Sequence, residues 1–211
     1  MVGQIQSSQI RATKGANGFV LKTVLFKGGI SMSKKFSVRM LTEGGIMLAL
    51  AVLLNTIKIY QAPNGGSVSA GSMIPLLLFA LRWGIGPGLI LGGTYGLLDF
   101  MFNPYFYHPV QFLLDYIIAY GFMGLAGIGY NKRHNDNINY VGMIFGVVIA
   151  IAGRMLSHVL SGVIFFAEYA GNQNPWIYST IYNATYLIPE LIISLVVLIL
   201  IWKPLQRIVK N

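Results

Sequence analysis

Residues 140–166 read YVGMIFGVVIAIAGRMLSHVLSGVIFF, an apolar run in which Arg154 and His158 are the only basic side chains. As a helix this run exceeds the ~20 residues that cross a hydrocarbon core of ~30 Å. It recurs in kind along the chain, with apolar blocks at about 41–59, 73–81, 85–102, 110–130 and 180–202. Across 211 residues, 55% are hydrophobic and only 10% charged, whereas a soluble domain carries about 25% charged residues. The expectation is an all-α integral membrane protein of about six transmembrane helices.

A formal charge of +9 raises the question of nucleic acid, and the positions of the cations answer it. Most sit in the first forty residues, at Lys132-Arg133, and at Lys203, Arg207 and Lys210, with Lys58, just before the first outer loop, the one exception to the charge asymmetry of the loops. Cations flanking apolar spans orient a chain in the bilayer rather than line a polyanion groove. Arg82, the Lys132-Arg133 loop and both termini fall on one side; the opposite loops, 60–72, 101–109 and 167–177, hold no lysine or arginine. The positive-inside tendency then predicts both termini cytoplasmic and the charge-poor loops outside. Without cysteine, disulfides and thiolate sites are excluded. Three scattered histidines make no metal cluster, and no cofactor is expected.

The first thirty-one residues are polar and glycine-containing, and their apolar stretch VLKTVLF is interrupted by lysine, unlike a secretory signal. The MSKKFSVRM that follows has the form of a start: methionine, a basic segment, then a span. Residues 1–31 are therefore expected to be a disordered leader or a mis-assigned start, and 32–211 the six-helix domain.

Two small-residue patterns predict close helix packing. Gly84, Gly88, Gly92 and Gly96 recur every fourth residue, and Gly45 and Ala49 share the spacing on the first span. The second pair fits packing inside this chain or against another subunit equally well.

A charged side chain at a helix centre costs roughly 2.5–3.5 kcal/mol on insertion scales and normally meets a partner or a wet cavity. Arg154 and His158, four residues apart, share a helix face with Gly162. Asp115, Glu190 and Asp99 are the acidic candidates to meet Arg154. Either Arg154 is an ion-pair member stapling helices, or it positions a carboxylate at a ligand cavity. Asp115, Tyr116, Arg154, His158, Tyr178 and Asn183 all fall in the outward halves of spans or beside outward loops. Those loops are aromatic, in NPYFYHP, FFAEYA and NPWIYSTIYNATY. Part of this is an interfacial belt. Rings beside a carboxylate and amides also suit a flat, cationic heterocycle, with cation–π contacts of roughly 0.5–2 kcal/mol each.

QAPNGGSVSAGSMIPLLLFALRWG, HPVQFLLDYIIAY, SHVLSGVIFFAEYA and NPWIYSTIYNATY together resemble the thiamine-specific substrate-binding subunit of energy-coupling-factor vitamin transporters, over about residues 33–203. The resemblance implies a six-helix subunit with a thiamine pocket near the outer surface. It implies ligand contacts from Asp115 and Tyr116 on the fourth helix and from Arg154 and His158 on the fifth. It further implies ring stacking by Phe166 and contacts from Tyr178, Asn183 and the loop residue Tyr105. Some members of that family have glutamate, lysine and tryptophan where this chain has Asp115, Arg154 and Phe166, and a first-loop tryptophan where it has Gly65-Gly66-Ser67. The resemblance also gives Gly45 and Ala49 a role, packing on a membrane coupling subunit that works with two ATPases. The chain itself has no G-x-x-x-x-G-K-[ST] phosphate loop. The alternative is a stand-alone, ion-coupled permease relaying protons through Asp115, Arg154 and Glu190. An intramembrane hydrolase fits poorly, because Ser157 adjoins His158 and so points elsewhere on the helix.

Overall fold

A computed structural model describes residues 37–129 and 140–210. The expected leader 1–31 and the candidate start Met32 lie outside the described residues, as does the Lys132-Arg133 loop.

Helix α1 (Val38–Thr56) starts where the Ser37 side chain accepts the Met40 amide at 3.1 Å, which satisfies one of the donors a helix start leaves free. A two-stranded antiparallel hairpin follows, β1 (Lys58–Gln61) and β2 (Ser67–Ser69), with Tyr60 opposite Val68 and Gln61 opposite Ser67. No strand is expected from the apolar blocks, yet Asn64-Gly65-Gly66 at its tip is a turn signal. Gly65 and Gly66 have φ of 94° and 84°, a region open to glycine at little steric cost.

Helix α2 (Met73–Trp83) is short and nearly all buried. Its eleven residues reach only ~16 Å, about half a hydrocarbon core. The other half of that column is left to the hairpin and to empty space. Gly84, at φ 91°, turns the chain sharply into α3 (Ile85–Phe102).

The fourth span, α4 (Pro109–Gly129), begins with His108 accepting the Val110 amide through Nδ1 and proline at the first turn. It is not uniform: Leu113–Ile118 is a π-helical turn and Phe122–Gly129 is 3-10. Helix α5 (Tyr140–Phe165) carries the opening stretch, and α6 (Pro175–Lys210) closes the fold with Pro189 and Pro204 inside it. Among the described residues five helices are long and apolar enough to cross a membrane, and α2 is the shorter sixth. This matches the expected count, with the correction that α2 cannot span alone.

Packing follows the glycines. A Cβ on Gly88 would strike Ala80 and Gly124, and one on Gly92 or Gly96 would overlap the Tyr120 or Tyr116 carbonyl of α4. The strip therefore seats α3 on α2 and α4, except that Gly84 serves as the turn. Outward-facing Leu41, Leu53, Ile164, Ile192 and Leu200 are more than half exposed, the inverse of a soluble surface and the face an all-helical bundle shows to lipid.

Candidate functional site

The cavity above α2 measures about 470 Å³, within the range of small-molecule sites. All eight sequence-derived candidates, Tyr105, Asp115, Tyr116, Arg154, His158, Phe166, Tyr178 and Asn183, line it.

Its centre is Asp115, on the π turn of α4. A π turn adds a residue per turn and re-aims the side chains that follow, and such turns gather at functional sites. The local carbonyl of Leu114 accepts the Ser157 hydroxyl at 2.6 Å, so Ser157 is turned from the cavity into a helix–helix bond. Asp115 Oδ2 accepts from Gln111 Nε2 (2.8 Å) and Ser161 Oγ (2.7 Å), and Oδ1 lies 3.0 Å from His158 Nδ1. Arg154 Nε donates to His158 Nε2 at 3.3 Å. A nitrogen that accepts cannot carry the ring proton, so His158 is a neutral imidazole protonated on Nδ1, donating to Asp115. Arg154, His158 and Asp115 thus form a polarised relay with the carboxylate at its end.

Arg154 settles one question left open by the sequence. It is 5% exposed, donates Nη1 to Met73 Sδ at 2.9 Å, and sits 4.4 Å over the Tyr120 ring. Among the described residues no carboxylate comes within ion-pair distance of it. An ion-pair staple is therefore not what Arg154 forms: it touches α2 at Met73 and α4 at Tyr120, and it reaches Asp115 through His158.

Tyr116 has a different neighbourhood. Its hydroxyl donates to Asn103 O at 3.0 Å and accepts the Tyr105 amide at 3.1 Å, fixing the 103–108 loop beside the cavity. Gln111 extends this tie, donating to Tyr105 O and accepting the Tyr107 amide. Desolvation and the neighbouring Tyr169 hold the Tyr105 phenol above its ordinary pKa. Phe166 stands among Tyr105, Tyr107 and Tyr169 at centroid distances of 5.8, 5.7 and 6.2 Å.

On α6 the spacing 178, 182, 183, 186, 190 lines one face toward the cavity. Asn183, 5% exposed, donates to Ser179 O at 2.8 Å and accepts the Tyr186 hydroxyl. Tyr178 and Tyr182 stack at 6.1 Å. Tyr182 also holds the hairpin tip, donating to Gly65 O (2.7 Å) and accepting the Asn64 amide (2.9 Å). A Cβ on Gly66 would enter the Tyr186 ring, so the backbone of the first loop comes as near the cavity as glycine allows.

Sequence reasoning missed Ser161, Tyr120, Tyr182 and Tyr186 as cavity residues. Helical spacing carried the signal for three: Ser161 lies three residues after His158, and Tyr182 and Tyr186 continue from Tyr178 in steps of four. Tyr120 depends on where the π turn aims it. Asp99 also lines the cavity, accepting from Tyr120 Oη (2.6 Å), Asn55 Nδ2 (2.8 Å) and Asn103 Nδ2 (3.3 Å). Lys58 Nζ reaches Asn103 Oδ1 at 3.2 Å.

Gly45 and Ala49 lie away from this site. Both face outward on α1, and a Cβ on Gly45 would meet nothing within 4 Å. Among the described residues both are exposed, so neither is buried in a helix contact of this chain.

The profile of the thiamine transporter protein family matches residues 41–210. The chain belongs to this family. Thiamine transporter ThiT of Bacillus subtilis (strain 168) is 38% identical over 181 residues, covering 81% of this chain and 94% of that protein. Thiamine transporter ThiT of Lacticaseibacillus paracasei is 27% identical, over 74% of this chain and 82% of that one. A structure of ThiT from Listeria monocytogenes, determined by native-SAD phasing, superposes with a TM-score of 0.70 at 24% identity. It covers 79% of this chain and 94% of that chain, which establishes the shared fold. Membership places the chain among multi-pass membrane transporters rather than enzymes, as its composition and spans require.

Proposed function

We propose that this member of the thiamine transporter family is the high-affinity thiamine-binding subunit of an energy-coupling-factor uptake system, taking thiamine at the outer face of the cell membrane. The carrying observation is the charge and lining of the cavity. Asp99, Asp115 and Glu190 line it together with Lys58 and Arg154, and with His158 neutral one negative charge remains. A cavity with one net negative charge and a wall of tyrosines suits a flat monocation. Thiamine, an aminopyrimidine joined to a thiazolium, has that form. In this reading Asp115 and Asn183 bind the edge of the aminopyrimidine and Phe166 stacks on it. Tyr105, Tyr116 and Tyr178 close the site, and Arg154 and His158 hold Asp115 ionised and oriented.

Delivery is assigned to partners, a membrane coupling subunit and two ATPases. The outward, uncrowded Gly45 and Ala49 favour docking on the coupling subunit over internal packing, because small residues let another helix approach closely. Both termini are assigned to the cytoplasm, which leaves the cavity opening outward.

Titration of the purified chain with thiamine, followed by tryptophan and tyrosine quenching, is the test. Saturable quenching at submicromolar ligand is expected, and its absence at micromolar ligand would reject the proposal. Liposomes holding this chain alone under an imposed ion gradient should show no uptake.

A further inference from the structure

Glu190 stands at the deep end of the cavity, three helical turns along α6 from Tyr178. The three carboxylates on the cavity wall are not equivalent. Asp99 and Asp115 each accept three hydrogen bonds from neutral side chains, which leaves each carboxylate room for about one more donor and both of its oxygens already solvated by the protein. Glu190 is 2% exposed, and its Oε1 accepts from the Ser69 amide at 2.7 Å and the Ser69 hydroxyl at 2.8 Å. Its Oε2 is buried with no hydrogen-bond partner. An ionised oxygen withdrawn from water and left bare is among the least favourable arrangements in a protein interior. A cation placed beside it removes that penalty. Arg154 also lines the cavity but forms no ion pair with Glu190, its Nε donating to His158 and its Nη1 to Met73.

We infer that Glu190 supplies the counter-charge for the positive ring of the ligand, with Oε1 anchoring the hairpin at Ser69 and Oε2 kept free for the cation. The inference rests on the thiamine-binding reading above and divides its labour. Asp115 binds hydrogen-bond donors of the aminopyrimidine, whereas Glu190 selects for permanent charge. A neutral analogue of the same shape then gains nothing from Glu190.

The experiment compares thiamine with the analogue in which a neutral thiophene replaces the thiazolium. Each is titrated into the purified full chain and its Glu190→Gln variant. Glutamine keeps an acceptor for Ser69 and so preserves the hairpin anchor while removing the charge. The expected result is a loss of at least tenfold in thiamine affinity, with the neutral analogue changed less than twofold. Asp115→Asn, by contrast, should weaken both ligands. An unchanged thiamine affinity in Glu190→Gln, or an equal loss for both ligands, overturns the inference while leaving the proposed function standing. Failure of the unaltered chain to bind thiamine would instead strike the proposed function itself. A second measurement needs no variant. The chain has three glutamates, Glu43, Glu168 and Glu190, of which only Glu190 lines the cavity. With glutamate carboxyls isotopically labelled, thiamine should shift their infrared stretch and the neutral analogue should not. An unshifted band on adding thiamine refutes the assignment.

Discussion

Asp115 concentrates the chemistry of the site, and its hydrogen bonds determine what a substitution does. Gln111 Nε2 and Ser161 Oγ both donate to Oδ2. In Asp115→Asn the new amide group must either face two donors or displace His158 from Oδ1. Ser161 can rotate its hydroxyl to accept. Gln111 can turn only by giving up the Tyr107 amide, which would loosen the 103–108 loop. Thiamine affinity should fall by about 1.5–3 kcal/mol, roughly 10- to 150-fold, the range for a lost charge-assisted hydrogen bond. A titration giving unaltered affinity would remove Asp115 from the ligand. Arg154→Met makes a sharper separation. Because no carboxylate pairs with Arg154 among the described residues, its loss strands no buried counter-ion in direct contact. The variant should remain folded and monodisperse in detergent, yet bind thiamine at least tenfold more weakly. Aggregation on size-exclusion chromatography would show that Arg154 holds the helices together through Met73 and Tyr120 instead of serving the ligand.

At the scale of the element, the sequence was legible where hydropathy dominates. The five long helices and the short sixth coincide with apolar blocks because backbone in lipid must satisfy itself within a helix. The spacing of Arg154 and His158 was equally legible, since helix geometry alone puts them on one face. Other features left weaker traces. The hairpin strands hold four and three residues, too few for a periodic signal. The π turn that presents Asp115 and Tyr116 depends on one added residue per turn, which no apolar pattern records. Glu190 was visible as an acidic residue in a span, but its bare oxygen depends on the hairpin reaching Ser69 into the helix bundle. The glycine strip yields a test within one helix. A Cβ on Gly92 would overlap the Tyr120 carbonyl, whereas one on neighbouring Gly93 finds only ordinary contact, 3.7 Å from Ile117 Cγ2. Gly92→Ala should destabilise the protein by about 1–3 kcal/mol, because two backbones cannot separate without repacking. Gly93→Ala should be neutral or gain up to about 1 kcal/mol from helix propensity. Thermal unfolding in detergent measures both, and equal midpoints would show that the strip is not a contact face.

For the whole molecule, the cavity and the exposed small-residue face of α1 occupy different surfaces of one bundle. The cavity lies at the end bearing the hairpin and the aromatic loops, above the short α2. Gly45 and Ala49 lie on the outer face of α1, and Glu43, two residues before Gly45, is already engaged by Arg39, Arg82 and Trp83. These bonds brace the base of α1 against the end of α2, so the exposed small-residue face is presented by a fixed helix. A large side chain at position 45 would project into space that this chain leaves empty. Gly45→Trp should therefore leave the fold and the thiamine affinity of the isolated chain unchanged. If that face docks on a coupling subunit, the same variant should lose thiamine uptake in cells and co-purification with the partner subunits, because an indole keeps two helices apart. Measuring affinity and uptake on one variant separates the two surfaces. Normal uptake by Gly45→Trp would send the search for the docking face elsewhere on the bundle, whereas loss of affinity in the isolated chain would mean that α1 supports the cavity directly.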